Sequence, residues 1–154
     1  MKFRTLMAAG CLFMAPQLSM ATPSINDMQS CQGLLDFIDS RLDSVASQYE
    51  AADVKSVKAG LKGYNQYIQR EIVSPGLLKF NGGDANKSAQ MQKQIDNYKA
   101  SVVVNFKKRY SENKLFADQV VALNDCTKKS VPSGQELEGL KQAFATMMKM
   151  TKMK

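Results

Sequence analysis

Four methionines fall within seven residues near the C-terminal end: Met147, Met148, Met150 and Met153, interleaved with Lys149, Lys152 and Lys154. Thioether sulfur is a soft donor that selects Cu(I), so four such side chains close together form a candidate Cu(I) or Ag(I) site. The lysines oppose a cation there. Two other readings compete: the end of an apolar helix stripe with a frayed basic tail, and a Lys/Met surface for anionic lipid. A second cluster is acidic. Asp36, Asp39 and Asp43 lie on one flank of a predicted helix, where three carboxylates can share a divalent cation through oxygen. No glycine-bearing calcium loop accompanies them, and ion pairing with lysines of a neighbouring helix is the alternative.

The chain has no histidine. This removes the commonest general base, the commonest metal ligand and every Ser-His or Cys-His nucleophile pair. The Glu-x-x-His motif of di-iron bundles goes with it, as does covalent haem attachment. Neither a phosphate-cradling glycine loop nor a dinucleotide fingerprint is present. The expectation is a non-enzymatic protein with no resident cofactor.

Cysteine and charge placement point to export. Lys2 and Arg4 precede an apolar run from Leu6 to Ala15, and Ser19-Met20-Ala21 has small residues where signal peptidase requires them. The run is shorter than the ~20 residues a spanning helix needs. Cleavage after Ala21 is expected, leaving 133 of the 154 residues and lowering the net charge from +7 to +5. Cys11 follows Ala8-Ala9-Gly10, so lipidation there is an alternative. Export places Cys31 and Cys126 where disulfides persist, and an even count without CxxC spacing favours a structural bridge. Two reduced, buried cysteines are the alternative. An exported, mildly basic chain is not expected to bind nucleic acid; anionic lipid, envelope polyanions and acidic proteins remain as partners.

The elements that position these residues read as helices throughout. Met28, Cys31, Leu35, Ile38, Leu42, Val45 and Tyr49 recur in steps of three and four, one stripe of a first helix capped by Ser24 or Asn26. A second helix is expected from an Asp53 cap, with Val54, Val57, Leu61, Tyr64, Ile68 and Ile72 inward, ending at Ser74-Pro75-Gly76. Gly60 and Gly63 lie inside it; for Gly60, beside the apolar stripe, close helix approach is the expected reason. Leu77, Leu78 and Phe80 then read as an apolar loop, plugging the bundle or docking a partner. Asn81-Gly82-Gly83 is a turn signal. Asp84 caps a third helix with Met91, Ile95, Tyr98, Val102, Phe106 and Tyr110 on its stripe. A fourth runs from about Lys114 to Lys128 with Leu115, Phe116, Val120, Leu123 and Cys126 apolar. Ser133 and Glu136 form a capping-box pattern for a fifth, whose stripe is Leu137, Leu140, Phe144, Met147 and Met148.

The predicted fold is an all-α, four- to five-helix up-down bundle with one disulfide, Cys31–Cys126. An up-down course brings the start of the first helix and the end of the fourth to one end, so the two cysteines can meet. The expected organisation is a signal peptide over 1–21, one domain over 22–148 and a basic, Met-rich tail over 149–154. Met28-Gln29-Ser30-Cys31, opening a helix, and Cys126-Thr127-Lys128-Lys129, before a last helix, resemble the layout of small acid-activated periplasmic chaperones. A disulfide-tied bundle is also similar to secretin pilotins and envelope immunity proteins. Helices two and three have no counterpart in those chaperones, so no functional residue carries over. The expected function is binding of another envelope protein through Leu77, Leu78 and Phe80, as chaperone, adaptor or inhibitor. Soft-metal binding by the methionines and attachment to an anionic membrane through the basic tail are the alternatives.

Overall fold

The computed structural model describes residues 23–112, 114–115 and 117–152. The signal-peptide and Cys11 expectations, with Phe116 and Met153, lie outside them. Among the described residues the chain is all helical: α1 (Ile25–Val45), α2 (Ala51–Ile68), α3 (Ser74–Phe80), α4 (Ala85–Arg109), α5 (Ala117–Lys129) and α6 (Gly134–Met150). A five-residue π turn, Gln69–Val73, joins α2 to α3 without a break, so the bundle has five packed rods.

α1 is the central rod. The Ser24 hydroxyl accepts from the Asp27 amide and caps it, and Asp27 adds a carboxylate to the positive first turn. Twelve of its residues are buried, including Met28, Leu35, Phe37, Ile38, Leu42 and the polar Gln29, Gln32 and Arg41. Burial on several faces follows from its neighbours: α2, α4 and α5 all pack against it. Phe37 stacks on Phe106 of α4 and on Tyr110, with ring centres 5.4 and 5.8 Å apart. Cys31 and Cys126 are bridged, with Cα atoms 5.7 Å apart, as the up-down course requires. Beside the bridge, the buried Tyr64 phenol lies 3.0 Å from the Cys126 carbonyl and 2.9 Å from that of Ser130. It therefore donates to the open end of α5. Burial raises its pKa well above that of an ordinary phenol, so the proton stays in place.

The most extensive packing joins α2 to α6. The predicted fifth helix is thus an integral wall of the bundle. A Cβ built on Gly60 would stand 2.4 Å from the Gly139 carbonyl oxygen and 2.7 Å from the Ala143 Cβ, so the two backbones meet there. Around a Cβ at Gly63 nothing lies within 4 Å.

Several local expectations change. α1 ends at Val45; a 3-10 turn over Ala46–Gln48 follows, and Tyr49 lies beyond the helix with an extended backbone. Glu50, not Asp53, is the N-cap residue of α2. Asp53 sits in the first turn and pairs with Lys149 of α6 at 2.8 Å. Pro75 does not end the helix. It has no N–H for the carbonyl four residues back, and the chain absorbs the misfit by widening: the Ser74 amide bonds to the Gln69 carbonyl, a π spacing. The helix resumes with Pro75 in the first turn of α3, where the missing donor costs nothing. The capping box is not formed: Ser133 makes no side-chain capping bond, and the Glu136 carboxylate accepts from Arg70 at 2.9 Å instead of reaching back to the cap. Asn81-Gly82-Gly83 turns as expected, with φ of 62° and 87° at the glycines. Asp84 accepts from the Lys87 amide and caps α4. α4 buries only Ile95 completely, leaving Tyr98 and Val104 exposed.

Two measurements check this packing. Gly60→Ala should destabilise the protein by about 1–3 kcal/mol through overpacking, less the ~1 kcal/mol gained in helix propensity. Gly63→Ala should stabilise it by up to about 1 kcal/mol. Urea unfolding of both variants reads the contrast, and equal effects would contradict the Gly60–Gly139 crossing. Replacing Cys31 and Cys126 by serine opens a loop spanning a sequence separation of 95. The expected loss is about 4–5 kcal/mol in the chain-entropy model; an unchanged unfolding midpoint would show that the bridge carries no stability.

Candidate functional site

The apolar segment after Pro75 is a helix, not a loop. Its helical register separates the three residues expected to act together. Leu77 is 2 % exposed and belongs to the core, while Leu78 is 43 % and Phe80 73 % exposed. Leu78 and Phe80 are therefore the exposed apolar residues of the α3 tip, between the π turn and the Gly82-Gly83 turn; two positions apart on the helix, they point to different sides. The Asn81 side chain donates to the Leu77 carbonyl at 2.9 Å and so closes the helix end behind them.

The methionines are also divided. Met147 and Met150 are fully buried in the core, and Met148 is partly exposed. The apolar stripe of α6 claims the first two, and the helix runs on through Met150. These sulfurs are not gathered at the surface, so among the described residues no thioether cluster is open to a cation.

The acidic flank of α1 meets lysines. Lys58 of α2 lies 2.6 Å from Asp43 and 3.3 Å from Asp39, and the hydrogen bond to Asp43 is the main reason its pKa is raised. Lys99 of α4 stands 3.6 Å from Asp36. Among the described residues no group of three His, Cys, Asp or Glu side chains is arranged to hold a metal ion. Pairing with neighbouring helices is what the structure displays.

A site the sequence reading passed over lies between α1 and α2. A groove of about 880 Å³ has Leu35, Val54 and Leu61 at its floor, Ala46 and Ala51 at one end, and Gln32, Asn65, Gln66 and Gln69 at the other. Asp36, Asp39, Lys55, Lys58, Lys62 and Lys99 edge it. The amide end belongs to a closed polar ring. The Asn65 amide donates to Asp36 at 2.8 Å, and Gln32 Nε2 donates to Asn65 Oδ1 at 2.9 Å and to Gln69 Oε1 at 3.2 Å. Gln69 Nε2 donates to Gln92 Oε1 at 2.9 Å, and Gln92 Nε2 donates to Asp96 at 3.1 Å. Lys99 closes the ring, 3.6 Å from Asp36 and 3.8 Å from Asp96.

The carboxylates fix which way every amide points. Ionised Asp36 only accepts, so Asn65 must turn its NH2 toward it and its oxygen toward Gln32. Asp96 orients Gln92 and then Gln69 by the same logic. Both chains of reasoning end at Gln32, whose NH2 must donate and whose Oε1 is left over. Gln32 is 2 % exposed, and that oxygen has no donor among the described residues. A buried acceptor without a partner costs about 1–3 kcal/mol. The ring draws on α1, α2, the first residue of the π turn and α4; Gln69 follows Asn65 by four residues in the register of α2, so the two amides share a face.

Comparison with family models, curated proteins and solved structures finds no match to this chain.

Proposed function

We propose that this chain is an exported, non-catalytic helical protein that binds another envelope protein, as a chaperone, adaptor or inhibitor. The contact is the α3 tip, with Leu78 and Phe80 as its anchors. One observation carries the reading: the most exposed large apolar side chain among the described residues, Phe80, is displayed at a fixed helix end. Leu77 anchors the tip from within instead of touching the partner. The Cys31–Cys126 bridge supports an oxidising compartment, and the periplasm, reached after cleavage near Ala21, is the compartment proposed. Among the described residues no helix is long and apolar enough to cross a membrane.

Leu78→Ser with Phe80→Ser should abolish co-purification of the partner from the envelope fraction while leaving the unfolding midpoint within a few degrees. Partner capture that survives both changes would remove the tip from the function.

Contact with an anionic membrane is the second reading, favoured by α4 over the C-terminal tail. Lys149 is engaged by Asp53, whereas Lys93, Lys107, Lys108 and Arg109 are exposed on α4 with Val104. This reading predicts binding to vesicles containing anionic lipid that weakens steeply as salt shortens the Debye length from about 10 Å at 0.1 M to about 3 Å at 1 M. Lys107→Glu with Lys108→Glu should abolish it. Salt-independent sedimentation with vesicles, or none at low salt, would reject it.

A further inference from the structure

The backbone and charge of the α3 tip bear on the chemistry of what it meets, an inference that rests on the tip being the contact. Helix α3 ends in a Schellman turn. The Gly83 amide donates to the Leu78 carbonyl at 2.8 Å and the Gly82 amide to the Lys79 carbonyl at 3.1 Å, with positive φ at both glycines. In such a turn an apolar side chain two residues past the cap often covers the residue at the position of Leu78. Here that place is Gly83, which has no side chain, and Leu78 stays 43 % exposed. The Leu77 carbonyl accepts from both the backbone and the side-chain amide of Asn81. The helix end is thus closed by its own chain, and a contact made there needs little further ordering.

The charge left over at this end is positive. From Ser74 to Ile95 the chain carries Lys79, Lys87 and Lys93 against a single carboxylate, Asp84. Asp84 is committed to the first turn of α4: it accepts from the Lys87 amide at 3.0 Å and lies 3.7 Å from the Lys87 ammonium. Lys79 stands between Leu78 and Phe80, about 100° from each around the helix. It is exposed and has no ion-pair partner among the described residues. The last carbonyls of α3 are already taken, so its ammonium is not needed to close the helix. The N-terminus of α4, which packs on α3, adds positive partial charge.

Two apolar side chains flanking one unpaired lysine do not suit a bilayer, which binds a contiguous apolar face in proportion to its area. Leu78 and Phe80 point to different sides and make no such face. A folded partner can seat each separately and set a carboxylate between them. We propose that the tip docks on an acidic protein surface, with a socket for Phe80 and beside it a carboxylate that pairs with Lys79.

The test joins two crosslinks on the full chain in the envelope, bridge intact. A photoreactive phenylalanine analogue at position 80 labels the partner, and a carbodiimide couples an amine to a carboxylate only where the two touch. Mass spectrometry of the adducts should place an isopeptide bond between Lys79 and an Asp or Glu of the same protein that position 80 labels. Lys62, exposed on α2, is the control and should give none. Lys79→Glu should lower the yield of the position-80 adduct at least tenfold with the unfolding midpoint retained. Lys79→Arg keeps the charge and should retain that adduct while losing the isopeptide. If either the Lys79 isopeptide or the sensitivity to Lys79→Glu is missing, the acidic assignment is overturned and the tip remains the contact. No protein adduct at position 80 would overturn both. Lipid adducts alone would give the tip to the membrane, and adducts of two copies of this chain would give it to self-association; each overturns the proposal.

Discussion

The arrangement depends on enclosing α1. A helix surrounded by α2, α4 and α5 buries apolar side chains on several faces, and its polar side chains must then find partners inside the bundle. Arg41 answers this by donating to the Tyr110 carbonyl and lying over the Phe37 ring, 5.3 Å from its centre. Gln32 answers it through Asn65 and Gln69. The disulfide pins α5 to the start of α1, and the Asp27–Lys129 pair at 2.9 Å sits at the same end. Outer elements follow: α6 is fastened through α2 at Gly60, and α4 through Gly33, where a Cβ would come within 2.7 Å of the Val102 side chain.

The enclosure is incomplete in two places. Pro75 forces a π turn, which shifts the helical register by one residue. That shift turns Leu77 inward, while α3 continues far enough to carry Leu78 and Phe80 outward. Between α1 and α2, polar bridges at Asn65 and Lys58 hold the helices without closing the space along them, and the groove remains.

Much of the architecture was legible in the residue pattern because it rests on local rules. The three-four spacing from Met28 to Val45 marks α1; Asp84 marks the start of α4; Asn81-Gly82-Gly83 marks a turn; and the two cysteines report helices sharing an end. Gly60 was legible as a close approach because a helix-breaking residue beside an apolar stripe needs a packing reason. The failures are tertiary overrides. Glu136 turned to Arg70 instead of its cap, Met150 rather than Met148 joined Met147 in the core, and Pro75 was accommodated rather than obeyed. The candidate site was the least legible part. Gln32, Asn65, Gln69 and Gln92 are ordinary amides on helix flanks, separated by up to sixty residues, and only the packing of α4 and α2 on α1 makes them a ring. A polar residue inside an otherwise enclosed helix was the available signal, and Gln32 carried it.

The central claim is that α3 displays a binding tip. The direct measurement is photo-crosslinking in the envelope with a photoreactive phenylalanine analogue at position 80 and, as a control, at Val121, which is also exposed. The account predicts a discrete protein adduct from position 80 and none from position 121. No adduct at position 80, or the same products from both positions, would contradict it.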